Sequence, residues 1–295
     1  SPVINDVTYG WLLVLSLVHG YSCVIVDVET AFLHGELEAE EEIYMECPQG
    51  MEDSKNKVLR LKKTIYGLVQ AAKAFYKKLT QVLKSIGFEG GIIDPCLLTR
   101  KGKKGIVHIA IYVDDCFCCG DMEEIEQVIE DMKNSGFKLK IEKELSDYLS
   151  CKLLFLKDKK KAWIGQPHLL KKIETSFGNE LEKIRSYKSP AAPGMGIVKA
   201  DEDDADMSDK DKTHYRSGVG MLLFLVKHTR PDLANATREL LKVMNKPTPN
   251  AMKELKRALK YALDTKELGL KMNPEELDTS KEFEVKLFSD SDWAG

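Results

Sequence analysis

The chain alternates short, continuous apolar runs with longer stretches whose apolar residues recur every three or four positions. The first period predicts buried strands and the second predicts amphipathic helices. "YSCVIVDVETAFLHG" (21–35) begins as a β-branched apolar run and breaks at Gly35, which predicts a buried strand turning out of a sheet. "EEIYMECPQG" (41–50) reads as a short strand closed by Pro48 and Gly50. "VQAAKAFYKKLTQVLKSIGF" (69–88) places Phe75, Leu79, Val82, Leu83 and Ile86 at helical spacing, with Gly87 as the stop. "IVHIAIYV" (106–113) and "CFCCG" (116–120) read as two strands of a hairpin with Asp114 and Asp115 at its tip. "MEEIEQVIEDMKNSG" (122–136) is an amphipathic helix with Asp121 as its N-cap and Gly136 as its terminator. "YLSCKLLFLKDKKKAWIGQ" (148–166) is a second hairpin, with a charged tip.

The pattern changes near residue 189. "SPAAPG" (189–194) and the acidic run that follows to Lys212 carry no apolar periodicity and read as a linker. From His214 to Leu263 the sequence is helical, in three segments broken by "RPD" and "KPTPN". "EFEVKLFSDSDWAG" (282–295) opens a further strand, and no internal repeat is present. Strands and helices in this order predict an α+β fold. The apolar run "WLLVLSLV" (11–18) reads as a helix and falls short of the ~18 residues a membrane span needs. No secretory signal is recognisable, and both "SPVIND" and "SDSDWAG" read as internal to a longer polypeptide.

Composition adds little to this picture, and the distribution of charge adds more. The formal net charge of −3 is not that of a typical basic nucleic-acid-binding domain. Yet basic clusters occur at 55–63, 100–105 and 157–163, and acidic ones at 38–42 and 201–211. Each alone reads as a solvated face, but three basic clusters flanking one catalytic-looking segment weaken that reading. The seven cysteines are odd in number and lack secretory context, so they read as reduced thiols. Cys116 and Cys119 have the CxxC spacing of zinc ligands but no second pair, and they read as core.

Asp114 and Asp115 follow an apolar strand, where carboxylates are costly without compensation. Two readings are open: side chains that cap a turn, or ligands of a divalent cation. Asp27 ends a strand of the same apolar character and would lie beside Asp114 if the strands are neighbours. Three carboxylates around two metals about 3.5–4 Å apart serve in-line phosphoryl transfer.

"YVDD" (112–115) resembles the reverse-transcriptase signature. "VDVETAFLHGELEAEEEIYMECPQG", "LKKTIYGLVQAAKAFYKKL", "IIDPCLL", "IYVDD", "TRPDLANA" and "SDSDWAG" occur in the order seen in copia-type long-terminal-repeat retrotransposon polyproteins. The resemblance covers almost the whole chain. It implies an RNA-directed DNA polymerase with a right-hand architecture. A ferredoxin-like antiparallel palm would be backed by helices 69–88 and 122–136, with incomplete fingers and a helical thumb or connection. The implied domains are 1–105 (partial fingers and first part of the palm), 106–166 (palm with the YVDD hairpin), 167–282 (thumb and connection) and 283–295 (the start of an RNase H domain).

The resemblance also implies roles. Asp27, Asp114 and Asp115 would be catalytic and, with the backbone carbonyl of Val28, would hold two Mg2+ ions, or Mn2+ in their place. Phe32 would be the steric gate against a 2′-hydroxyl. Gln70 and Lys73 would contact the incoming nucleotide, Tyr112 would pack near the primer end, and Asp290, with Asp292 beside it, would begin the RNase H site. The implied partners are an RNA or DNA template with its primer, deoxynucleoside triphosphates and the remainder of the polyprotein, without a membrane. The implied location is cytoplasmic, in virus-like particles.

The sequence departs from the family at several positions. Val69 replaces a usual Lys, Ala72 a Pro, Lys73 an Arg and Phe75 a Trp, and Ser150 stands where Gly is usual. "SPVIND" matches a point inside the polymerase, so basic fingertip strands are expected upstream and this segment alone is expected to polymerise poorly. Two rival readings are a catalytically inactive nucleic-acid-binding remnant and a structural palm-like domain whose carboxylates cap turns.

Overall fold

A computed structural model describes residues 1–51, 57–143, 145, 150–156, 161–194, 196–197 and 206–274. They form two compact units, Ser1–Ile141 and Glu142–Met272, so the boundary falls inside the 106–166 segment. The expected strand at 282–295 lies outside the described residues.

The first unit opens with α1 (Asp6–His19), capped by the Asn5 side chain, which accepts from the Val7 N–H at 2.9 Å. Gly20, at φ 68°, ends it in the left-handed conformation that a side chain resists. Then come β1 (Ser22–Val28), a 3₁₀ turn over Ala31–His34, β2 (Tyr44–Glu46), β3 (Val58–Arg60) and α2 (Ala71–Ser85). They are followed by β4 (Glu89–Gly90), β5 (Leu97–Gly102), β6 (Gly105–Tyr112), β7 (Asp115–Gly120), α3 (Met122–Asn134) and β8 (Leu139–Glu142).

The main sheet has the order β4-β5-β6-β7-β1-β8, and β2 and β3 form a separate ribbon. Taken as β1-α2-β6-β7-α3-β8, four adjacent strands at one end of the sheet show the βαββαβ succession of ferredoxin-like sheets. β7 is buried along its length apart from Asp115, because α1 and α3 both pack against it. That two-sided cover explains why "CFCCG" lacks a polar alternation. Cys96, Cys116, Cys118 and Cys119 are free and buried, as core thiols.

Helix α2 buries Ala71, Phe75, Leu79 and Leu83, a single i, i+4 stripe. Helix α3 buries Ile125, Val128, Ile129 and Met132. Asp121 occupies the N-cap position of α3 but makes no side-chain cap bond; its Oδ2 accepts from the Ile106 N–H at 2.8 Å instead. Arg100, expected in a basic surface cluster, is turned inward. It pairs with Glu124 at 2.9 Å and Asp131 at 2.6 Å and donates to the Ile86 carbonyl, locking β5 to α3 and to the end of α2.

The second unit contains the hairpin β9 (Lys152–Leu156) and β10 (Lys161–Gly165), then α4 (Pro167–Leu181), α5 (Asp209–His228), α6 (Ala234–Leu241), α7 (Pro249–Asp264) and β11 (Leu270–Met272). The expected hairpin is present, and β11 pairs with its second strand. Its charged tip, 157–160, lies outside the described residues. The three expected helical segments are α5, α6 and α7, which with α4 enclose a core that includes Ile173, Phe177, Tyr215, Leu222, Leu240 and Leu255. Gly218 permits a close helix approach: a Cβ there would meet Leu255 and Phe177 at 2.9 Å. The segment read as a linker is not wholly outside the fold, since Ile197 joins this core and α5 begins at Asp209.

The "RPD" between α5 and α6 is a buried clamp. Arg230, 1% exposed, holds Asp232 through two bonds of 2.9 and 2.8 Å. It also donates to the Thr265 carbonyl at 3.2 Å and hydroxyl at 2.8 Å, and its guanidinium lies 5.5 Å from the Tyr261 ring centroid. Burial alone would raise the Asp232 carboxyl, but the Arg230 bonds and charge outweigh it and hold the group below its ordinary value. A lowered carboxyl stabilises the fold above its unfolded value, and this contribution is lost as pH falls through the folded value. Replacing Arg230 with Ala is expected to cost about 3–5 kcal/mol, measured by guanidinium unfolding. Asp232→Asn should flatten the acid limb of the stability profile below about pH 4.

Candidate active site

The expected carboxylates meet at one end of the main sheet. β1 and β7 run antiparallel with Asp27 opposite Asp115, and β6 and β7 pair with Tyr112 opposite Asp115. Tyr112, Asp115 and Asp27 therefore form a row across three strands. The Val28 N–H donates to the Asp114 carbonyl at 3.2 Å, which makes Val28 and Asp114 a hydrogen-bonded pair. Asp27 and Asp115 are then the adjoining non-hydrogen-bonded pair, the kind in which opposed side chains lie closest. Like charges in that position repel.

The hairpin tip differs from the sequence expectation by one residue. Asp115 is the first residue of β7, and the turn is Val113–Asp114. Val113 has φ 56°, an unfavourable left-handed conformation for a β-branched residue. Cys116, the next residue in β7, registers the local charge. Burial raises its thiol far above the ordinary value, and Cys118, Asp115, Asp114 and Asp27 raise it further. All three aspartates thus act on a single thiol.

The other expected site residues fall into two groups. Phe32 lies in the 3₁₀ turn that follows β1, half-buried, with its ring 4.8 Å from Tyr66 and 6.4 Å from Phe75. Gln70 precedes α2 as its N-cap residue without a side-chain cap bond. Gln70 and Lys73 line a cavity of about 560 Å³ whose other wall carries Glu36, Glu38 and Glu41. None of the three aspartates lines that cavity, so the structure gathers the carboxylates at one place and Gln70 with Lys73 at another. Asp290 and Asp292 lie outside the described residues.

A family model described as reverse transcriptase (RNA-dependent DNA polymerase) matches residues 1–178, more than half of the chain. The chain belongs to the reverse transcriptase family. It is similar to the retrovirus-related Pol polyproteins of two Arabidopsis thaliana transposons. The RE1 polyprotein is 29% identical over 300 residues, covering 100% of this chain and 19% of the relative. The RE2 polyprotein is 30% identical over 297 residues, again covering 100% and 19%. The polyprotein of transposon TNT 1-94 from Nicotiana tabacum is 28% identical over 273 residues, covering 90% of this chain and 20% of the relative. The chain spans about a fifth of the length of these relatives. The resemblance to a reverse-transcriptase region of a retrotransposon polyprotein therefore holds. Among the described residues no helix is long and apolar enough to cross a membrane.

Carboxylate oxygens are the ligands that magnesium prefers. In this chain the register opposes two of them and leaves the third one residue away. As placed, however, the described residues include no group of three or more His, Cys, Asp or Glu that could hold a metal ion. The site meets the donor chemistry and falls short of the full ligand count.

One set of contacts escaped the sequence reading. Tyr66 packs on Phe32, and Thr64 is buried with its hydroxyl donating to the Phe32 carbonyl, so "TIYG" supports the turn from below. Ser150 has φ 60° and is exposed, which gives a physical reason for the glycine usual there. Ser150→Gly is expected to stabilise the protein by about 1 kcal/mol, read as a rise of about 2–4 °C in thermal unfolding midpoint.

Proposed function

We propose that this chain is the polymerising part of its parent polyprotein, an RNA-directed DNA polymerase that adds deoxynucleotides to a primer 3′-end. The observation that carries the reading is the opposition of Asp27 and Asp115 across β1 and β7, with Asp114 in the adjoining turn. In this reading the six-stranded sheet is the palm, the second unit supplies thumb and connection, and an RNase H domain begins near Asp290.

Asp27, Asp114 and Asp115 would hold divalent magnesium, or manganese, with the Val28 carbonyl beside them. A bound cation at such a site offsets charge on a transferring phosphoryl group and on the attacking oxygen. The chain's own contribution is positioning. β-pairing on both sides of β7 fixes where the carboxylates stand, and fixed geometry supplies much of the rate in phosphoryl transfer. Phe32, reached directly from Asp27 by the turn after β1, would lie beneath the sugar. Its backing by Tyr66 and Phe75 leaves it little room to yield to a 2′-hydroxyl. Gln70 and Lys73 would meet the incoming nucleotide, and Tyr112, 38% exposed at the end of β6, would meet the primer. Template, primer, deoxynucleoside triphosphates and the rest of the polyprotein are the partners of this reading, and cytoplasmic virus-like particles its setting.

The rival reading is a remnant that grips nucleic acid without turnover. Template-directed incorporation of a labelled deoxynucleotide, in magnesium, separates the two. Incorporation, however slow, should fall by at least about 10²–10³ in each of Asp27→Asn, Asp114→Asn and Asp115→Asn. Undiminished incorporation by Asp27→Asn overturns the site, and salt-sensitive duplex binding without incorporation supports the remnant. Phe32→Val should admit ribonucleotides by raising their relative kcat/KM. Unchanged sugar discrimination would show that Phe32 only fills space under the turn.

A further inference from the structure

The sequence separates an acidic run at 38–42 from a basic one at 55–63, and the fold brings them together. Residues 36–42 form an arm between the 3₁₀ turn and β2. The arm is tied to β3 by the Arg60–Glu42 pair at 3.0 Å, and to the segment after β3 by a β-bridge between Glu36 and Lys63. It is tied to α2 by the Lys78–Glu36 pair at 3.1 Å. Between these ties Glu38 and Glu41 stand over open space on both sides. Toward α2 is the cavity of about 560 Å³ with Lys73, Lys77 and Lys78 on its far wall. Toward β3 is a second cavity, of about 330 Å³, walled by Arg60 and Lys62. Glu38 and Glu41 line both. Among the described residues Lys62, Lys73 and Lys77 make no ion pair within 4.0 Å, so the arm lies among cations that it faces without neutralising by contact.

Lys73 and Lys77 are one helical turn apart on α2, and with Lys62 and Arg60 across the arm they make two basic walls. Repeated cations along a groove are how proteins grip a sugar-phosphate backbone, and the affinity comes mainly from counterion release. Carboxylates in that groove place negative charge where phosphates would lie.

We propose that the basic walls of β3 and α2 form a track for a nucleic-acid backbone, and that Glu38 and Glu41 occupy it as a phosphate mimic that suppresses non-specific binding. The proposal rests on the polymerase reading for its biological partner, a template or primer strand, and names where that strand's backbone runs. A strand must displace or straddle the arm, so weak, sequence-independent encounters are penalised. Contacts made elsewhere along a correct primer–template outweigh the penalty.

The test is binding of a short labelled single strand, followed by fluorescence anisotropy without nucleotide or metal. Glu38→Gln with Glu41→Gln removes the mimic; an amide oxygen at position 41 can still accept the Glu38 N–H, at 3.3 Å in the parent. At low ionic strength, about 50 mM, the double variant should bind about tenfold tighter, and the gain should shrink toward about twofold near 0.3 M. Lys62→Gln with Lys77→Gln should weaken binding, and on that background the glutamate changes should yield less than about a twofold gain. No gain, or the same gain on both backgrounds, overturns the proposal, because the effect would then be net charge alone. Should a variant fail to fold, acetylation footprinting of the parent decides. The strand should protect Lys62 and Lys77 from the reagent, and unprotected lysines overturn the proposal. Binding of this kind in a parent polyprotein that incorporates no nucleotide upholds the track and overturns the polymerase reading.

Discussion

The site is organised by a repulsion. Asp27 and Asp115 are set opposite each other on neighbouring strands, in the pairing where side chains come closest. Their mutual charge does not favour that arrangement. It is imposed by the burial of the rest of β7, whose Cys116, Phe117, Cys118 and Cys119 are all at 0% exposure. A slip of one residue would drive each of these side chains to the wrong face. The apolar core thus holds the register, and the register holds the charges. The same fixed geometry aligns Tyr112 with the carboxylates, and the chain leaves β1 directly into the turn that carries Phe32.

The backbone shows where the arrangement is tight. Thr30 and Val113, at φ 54° and 56°, flank the carboxylate end of the sheet, one in the exit from β1 and the other in the β6–β7 turn. Neither is a residue that favours the left-handed region. Each sits where the chain must reverse within one or two residues to keep an aspartate in place. The hairpin tip is therefore aimed by conformation as much as by charge, and the residue at 113 influences where its neighbour Asp114 points.

Much of this was readable from the chain. The apolar runs at 21–28 and 106–120 and the helical stripes of α2 and α3 came through with errors of a few residues, since each has a strong period. The hairpin tip was misplaced by one residue because Asp is as acceptable in a turn as at a strand start. β4, β8 and β11 are two to four residues long, too short to have a period. Ile197 is a lone apolar residue in a polar stretch, and burial of one side chain leaves no pattern. Arg100 looked like part of a basic surface because its partners, Glu124 and Asp131, are 24 and 31 residues away. Charge clusters are local in sequence, whereas compensation is local only in space. The acidic arm shows the same limit: its sign was plain, and what it faces was not.

The Arg230 clamp has a consequence for how the second unit comes into being. Its bonds to Thr265 span 35 residues, and β10 finds its outer strand only at Leu270–Met272. During vectorial synthesis α4, α5 and α6 emerge well before either closure is available, with Arg230 still in water and the outer edge of β10 unpaired. The helical unit must therefore wait at the ribosome as a partly assembled bundle until its final residues appear. A chain arrested just short of Thr265 would expose a desolvation-prone arginine and an open strand edge at once, and that is the stage at which chaperones or misassociation would act on it.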